Sequence, residues 1–329
     1  MLRTRLQLVA PLALSITVAG ATVGCQPYRR CDPVDEAATD ALPERLSLTG
    51  LYAPGSTSVL ANGVLGFRPR FELWSDGAVK QRWIWLPPGA AIDSRDMDAW
   101  QFPIGTKVWK EFVQGGVRVE TRLLARQSSG WTGVAYLWKS SGDDAMAAPY
   151  GAIDALDTSH DVPAANECAA CHGGRSSHVL GFSALQLAQP AAPPAVDLDQ
   201  LASLGLLTHA PTEEPQVPGS ETDQAALGYL HANCSHCHNA ARPPRSGARC
   251  FDPDSDIDFT LSAAPAAAVT DTAALRTGRG ASFEAGDPDG SRLLELMSKR
   301  GRFEQMPPLA SEQVDTDAVA LLRRWIETL

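Results

Sequence analysis

Cys234-Ser235-His236-Cys237-His238 is a Cys-x-x-Cys-His pentapeptide, and the chain holds a second one at Cys168-Ala169-Ala170-Cys171-His172. Two thiols three residues apart can each form a thioether to a vinyl group of one haem, and the histidine that follows can ligate its iron. With 7 Cys and 7 His in 329 residues, chance gives about 0.003 such pentapeptides per chain, so a pair is no accident of composition. A short disulfide or half a zinc site is the alternative use of each pair. Zinc needs a second pair of ligands at matching spacing, usually without a histidine directly after the second cysteine. The pattern therefore predicts two covalently attached haem c groups. Cys168 and Cys171 would hold one, with His172 on the iron; Cys234 and Cys237 would hold the other, with His238 on the iron.

The surroundings of the second motif supply a frame. Thr222 to His231 reads as a helix running into it, with Asp223 in its first turn, where a carboxylate suits the helix dipole. Gly228 in its middle predicts close packing against another helix. From Thr316 onward, Ala318, Leu321, Leu322, Trp325, Ile326 and Leu329 fall on one helical stripe, with Asp315 or Thr316 as the cap. Trp325 is expected to pack close to Gly228. First and last helices crossing around a haem resemble a class I cytochrome c. Gln305-Met306-Pro307-Pro308 lies just before the last helix. A methionine thioether is a soft ligand that favours ferrous iron, and two prolines stiffen its loop. Met306 is therefore the expected sixth ligand opposite His238. For the first haem, Met146, His160, His178 and His209 are all candidates, and an open sixth position is a further possibility.

The net charge of −10 argues against nucleic acid and favours redox partner proteins with a basic docking face, although a merely soluble acidic surface explains it as well. Arg3 and Arg5 precede an apolar run from Leu6 to Val23, the pattern of a signal peptide over 1–24 and too short for a permanent membrane span. Thr22-Val23-Gly24-Cys25 resembles a bacterial lipobox, with Thr22 where the pattern prefers Leu, and Ala19-Gly20-Ala21 is a competing cleavage site. Lipidation of Cys25 would make this a periplasm-facing, outer-membrane-anchored lipoprotein, because no aspartate follows to retain it at the inner membrane. Cys31 and Cys250 remain, a candidate disulfide in an oxidising compartment.

A polar tether over 25–45 leads into a Trp-rich stretch. Seven of the 8 Trp lie between Trp74 and Trp138. Lys80 to Leu86, Thr106 to Val113, Val117 to Arg126 and Trp131 to Trp138 read as an antiparallel meander. Within it Val117, Val119, Thr121 and Leu123 share one face, and Arg118, Glu120, Arg122 and Arg126 the other. The expected architecture is an N-terminal antiparallel β domain over 46–145, a small sandwich or barrel. A mostly α-helical c-type cytochrome region follows, divided into a first haem-binding segment over 146–221 and a cytochrome c-like domain over 222–329. The Trp side chains are expected in the core, with a sugar- or partner-binding platform as the alternative.

Several stretches resemble a family of exported bacterial diheme c-type cytochrome lipoproteins, often catalogued as conserved hypothetical proteins. They include Leu46-Ser47-Leu48-Thr49-Gly50-Leu51-Tyr52, Leu73-Trp74-Ser75-Asp76-Gly77, Leu86-Pro87-Pro88-Gly89, Phe102-Pro103-Ile104-Gly105-Thr106 and Glu120-Thr121-Arg122-Leu123. Asn233 to Asn239 and Gln305 to Pro308 continue the likeness. The resemblance implies diheme electron transfer and no particular substrate. A carrier between a dehydrogenase or quinol complex and a terminal acceptor is the leading expectation. A diheme peroxidase is the rival, although its usual layout has no β domain ahead of the first motif. In a third possibility the β domain binds a partner or polymer and the haems serve as an electron wire.

Overall fold

The computed structural model describes residues 38–39, 41–240, 242, 255–264, 266–301, 304–309 and 311–329. The expected signal peptide, the expected lipidation site Cys25 and the candidate Cys31–Cys250 bridge lie outside the described residues.

Alternating apolar and polar side chains form the strands expected in the Trp-rich stretch. These are β2 (Val79–Trp85), β3 (Lys107–Gln114), β4 (Val117–Gln127) and β5 (Gly130–Trp138). Two short strands that were not expected, β1 (Leu65–Phe67) and β6 (Ala145–Ala147), flank them, and each strand from β1 to β6 is antiparallel to the next. Gly115 and Gly116 turn β3 into β4 with φ of 56° and 84°, values that a side chain disfavours. β7 (Ala195–Val196) then returns from beyond the first Cys-x-x-Cys-His motif and pairs parallel with β1. The result is one mixed sheet in the order β6-β5-β4-β3-β2-β1-β7.

This corrects the expected sandwich or barrel. The sheet is open, and irregular chain and short helices cover it in place of a second sheet. On one face Trp83, Trp109, Leu123, Tyr136 and Trp138 pack against Leu46, Leu51 and Tyr52 from the preceding segment. Burying each such large apolar side chain contributes about 1.5–3 kcal/mol. On the other face Phe67, Ile84, Val108 and Leu124 meet Phe182, Leu187, Leu198 and Leu201, which follow the first motif. Trp83, Trp100, Trp109 and Trp138 are buried, so these four are core aromatics.

The expected mostly α-helical cytochrome region is corrected too. Helix makes up 24% of the structure and strand 20%, so no helical domain dominates. Among the described residues, the α-helices from the first motif onward are α1 (Ala165–His172), α2 (Ala184–Leu187), α3 (Leu198–Ser203), α4 (Glu221–Asn233), α5 (Ala273–Gly278), α6 (Arg292–Met297) and α7 (Thr316–Glu327). Proline and glycine keep most of them short. Pro190, Pro193 and Pro194 separate α2 from α3, and Gly280, Gly286, Pro288 and Gly290 fill the link between α5 and α6.

The two long helices expected on either side of the second motif do form and pack together. Ser220 caps α4 through a hydrogen bond from the Asp223 amide, and the Asp223 carboxylate accepts from the Ser220 amide in return. Asp315, not Thr316, caps α7, accepting from the Ala318 amide at 3.0 Å. Trp325 Nε1 donates to Asp223 Oδ1 at 3.0 Å. It does not supply the contact that Gly228 permits. A Cβ on Gly228 would sit 2.1 Å from the ring of Phe71, so the residue filling that notch comes from the segment between β1 and β2.

One irregularity re-sorts the side chains of β4. The β3–β4 register shifts between Phe112 and Val113. Beyond that bulge Arg118 lies on the Trp-rich face, where it stacks 3.6 Å from the Trp138 ring and pairs with Glu111 at 2.7 Å. Val119 instead clusters with Ala135 and Val162. Glu120 and Arg122 keep the face expected for them.

Candidate functional site

The face bearing Val108, Lys110, Arg122, Leu124 and Gly133 forms one wall of a cavity of ≈ 1240 Å³. α1 forms another. Glu167 accepts from the Ala164 amide at 2.8 Å and fixes the start of α1. Residues 168, 171 and 172 are spaced i, i+3, i+4 along it, so both thiols and the imidazole share one helical face. All three line the cavity. β5 lets the helix come close because residue 133 is glycine. A Cβ there would lie 3.0 Å from Cys168 Cβ and 3.3 Å from its sulfur.

His172 is oriented from behind. Its Nδ1 donates to the His178 carbonyl at 2.6 Å, which leaves Nε2 free to act as a ligand. His178 reaches that position with φ of 58°. Burial pushes His172 down to about 4, against the pull of the His178 carbonyl, so the ring is neutral at physiological pH. A neutral imidazole is the form that binds a metal. Burial likewise raises the Cys168 thiol to about 11 and the Cys171 and Cys234 thiols to about 12, so all three are protonated.

The second motif lies against the first. Cys234 is the C-terminal cap of α4, and the amides of Cys237 and His238 both bond back to its carbonyl, at 3.1 and 2.8 Å. A Cβ on Gly174, two residues past His172, would sit 1.9 Å from the His236 carbonyl oxygen. After burial, Cys237 is the largest electrostatic influence on Cys171, and His172 on His236. Ser235 and His236 line the same cavity as Cys168, Cys171 and His172. Cys234, Cys237 and His238 are outside that lining. Cys234 instead packs on the core between α4 and α7. His238 stands 5.8 Å from the Phe259 ring, and its buried Nδ1 has no hydrogen-bond partner among the described residues.

The Met-Pro-Pro loop borders the first motif's cavity through Pro307 and Pro308. Gln305 braces it by donating to the Pro307 and Ser311 carbonyls at 3.1 and 3.0 Å. Met306 is half-buried, its amide bonded to the Leu296 carbonyl at 3.0 Å. Among the four candidates for the first haem's sixth ligand, only His160 lines the cavity. Met146 sits in β6 opposite Leu137. The ring of His178 lies 6.3 Å from that of Trp131. His209 is exposed and tied to Ser94.

His160 belongs to a buried ionic group. Its Nε2 is 2.7 Å from Glu120 Oε1, which Arg122 also grips at 2.5 Å. Burial opposes ionisation of Glu120, but Arg122 and then His160 outweigh it and hold the carboxyl below its ordinary value. Two cavity residues, His231 and His236, escaped sequence reasoning, since one ends a helix and the other sits in the variable part of the motif. Burial pushes both down to about 3.

The residues of the first motif, Cys168, Cys171 and His172, offer the donor set that a haem would need. A porphyrin supplies four nitrogens itself, so the chain needs to offer thiols on one helical face and an oriented imidazole. No three His, Cys, Asp or Glu among the described residues converge into a metal-binding set, so the two motifs are not assembled into one zinc site. No described helix is long and apolar enough to cross a membrane. Comparison with protein-family models, curated proteins and solved structures finds no match for this chain.

Proposed function

We propose that the chain is an exported diheme c-type cytochrome that passes single electrons between redox partner proteins. The observation that carries this is the contact of Gly174, two residues past the first Cys-x-x-Cys-His motif, with His236 inside the second. Electron exchange falls steeply with separation, so haems attached at two neighbouring motifs would be placed to exchange electrons. A bound haem supplies a one-electron couple between ferric and ferrous iron. The chain's own residues attach, orient and dehydrate it. Cys168 and Cys171 would carry one group with His172 as ligand, and Cys234 and Cys237 the other with His238 as ligand. Met306 is assigned to the second iron on its sequence setting. The apolar leader and Cys25 assign the protein to the periplasmic side, with a lipid anchor if Cys25 is modified.

Expression of the full chain with c-haem maturation tests this. Two haems per chain and two reversible one-electron titrations are expected; one haem or none overturns the proposal. Met306→Ala should abolish the sulfur-to-iron charge-transfer band and lower one potential.

Peroxide reduction is the second reading, favoured by His160 and Arg122 lining the cavity that holds His172. Such a pair can move a proton and stabilise a developing anion. Peroxide turnover by the half-reduced protein would favour it over the carrier.

A further inference from the structure

On the cavity side of the sheet, three cations stand in one cross-strand row. The register places Arg82 of β2 opposite Lys110 of β3, and Lys110 opposite Arg122 of β4. Like charges directly opposite one another destabilise a sheet, so such a row needs compensation. The outer two have it. Glu72 lies 3.3 Å from Arg82, and Glu120 lies 2.5 Å from Arg122. The middle one does not. Among the described residues no carboxylate is within ion-pair distance of Lys110, whose ammonium instead stands 4.8 Å from the centre of the Phe112 ring. Burial, then Arg82 and Arg122, hold that ammonium well below the ordinary lysine value. Lys110 is half-buried at the cavity wall, where a charge without a carboxylate partner is costly.

The next row on the same face is apolar. Val108 lies opposite Leu124, and Leu124 opposite Gly133, which backs Cys168. One wall of the cavity thus passes from an apolar row beside the thiol to a cationic row. That order matches an amphiphile with an apolar body and an anionic edge.

We propose that Lys110, flanked by Arg82 and Arg122, is a carboxylate-binding anchor that takes a propionate of the haem attached at Cys168 and Cys171. This rests on the diheme reading above. A carboxylate there would receive a charge-assisted hydrogen bond from Lys110 and neutralise the uncompensated centre of the row.

The test uses the full, haem-loaded chain and its Lys110→Met and Lys110→Arg variants. Haem count and both midpoint potentials are measured, with and without added acetate. Removing a cation beside one haem favours the ferric form. One midpoint should therefore fall in Lys110→Met, stay near wild type in Lys110→Arg, and ignore acetate. Lys110→Met removes an unpaired charge, so folding is expected to survive; Lys110→Arg reports independently. With two haems attached, unchanged midpoints in Lys110→Met overturn the anchor alone. An acetate-dependent midpoint in the wild type, lost in Lys110→Met, means that Lys110 binds a free carboxylate and overturns the propionate assignment. Failure to load haem at Cys168 and Cys171 in the wild type overturns both readings.

Discussion

Gly174 and His236 meet backbone to backbone, with room for no side chain: a Cβ on Gly174 would stand 1.9 Å from the His236 carbonyl oxygen. Asn239 Nδ2 donates to the Gly174 carbonyl at 3.0 Å, and Arg242 Nη1 donates to the His236 carbonyl at 3.1 Å. The contact joins the segments that follow one motif and make up the other. Gly174→Ala must push them apart, at a cost of about 1–3 kcal/mol by analogy with overpacked cores. Denaturant titration should show that loss, and the loaded variant should show weaker coupling between its two midpoint potentials. A variant as stable as wild type, with coupling intact, would remove this contact as the reason the motifs lie together.

Gly133 controls the first motif more selectively. Its missing Cβ leaves space for Cys168, whose Cβ and sulfur would lie 3.0 and 3.3 Å from a methyl group there. Gly133→Ala should shift α1 by a few tenths of an ångström and cost about 1 kcal/mol. The larger effect should fall on attachment. Mass spectrometry of the matured protein should find the second motif filled and the first filled in a reduced fraction of chains. Equal loss at both motifs would refute the local account.

The strands and both long helices were legible because period and capping residues agree in each. Asp315 and Ser220 cap through side chains, and the stripe that buries Leu322, Trp325 and Ile326 has one solution at helical spacing. The face of Arg118 was not legible. Strict alternation assigns it with Arg122, and only the bulge at Phe112 and Val113, a property of pairing with β3, reverses it. The open sheet was equally hidden, since two-residue β7 has no period to detect, yet it closes the order beside β1. At the site the two Cys-x-x-Cys-His motifs were readable from spacing alone. The cationic row was not, because Arg82, Lys110 and Arg122 become neighbours only through register. His178 illustrates the same limit: its place behind His172 belongs to its carbonyl, about which side-chain identity says nothing.

Glu120 should make stability depend on acid. Its carboxyl is fully buried and gripped by Arg122 at 2.5 Å and His160 at 2.7 Å. Burial raises its proton affinity, and Arg122 and His160 lower it further than burial raises it. A depressed carboxyl stabilises the fold fully above its unfolded value and loses that contribution as pH falls through the lower, folded value. Wild-type stability should therefore hold at neutral pH and fall below the ordinary carboxylate range. Glu120→Gln strands Arg122 and should cost about 3 kcal/mol at neutral pH, the scale for breaking a buried pair from one side. The variant should lack its share of the acid-induced loss. Parallel stability-versus-pH curves for the two proteins would contradict this assignment.

His178→Gly separates the two ways in which that residue could serve the first haem. The backbone has φ of 58°, a conformation that costs a residue with a Cβ about 1–2 kcal/mol relative to glycine's freedom there. Glycine keeps the carbonyl that accepts from His172 Nδ1 and deletes the imidazole. If the carbonyl is the working part, the variant should fold at least as well as wild type, load both haems and keep the absorption and magnetic signatures of both irons. If the imidazole is an axial ligand, the first haem should change spin state or gain affinity for cyanide or carbon monoxide. The ring's position beside Trp131, 6.3 Å between centroids, and its absence from the cavity lining favour the first outcome. The same spectra of His160→Ala supply the contrast, because His160 is the one candidate side chain that reaches the cavity.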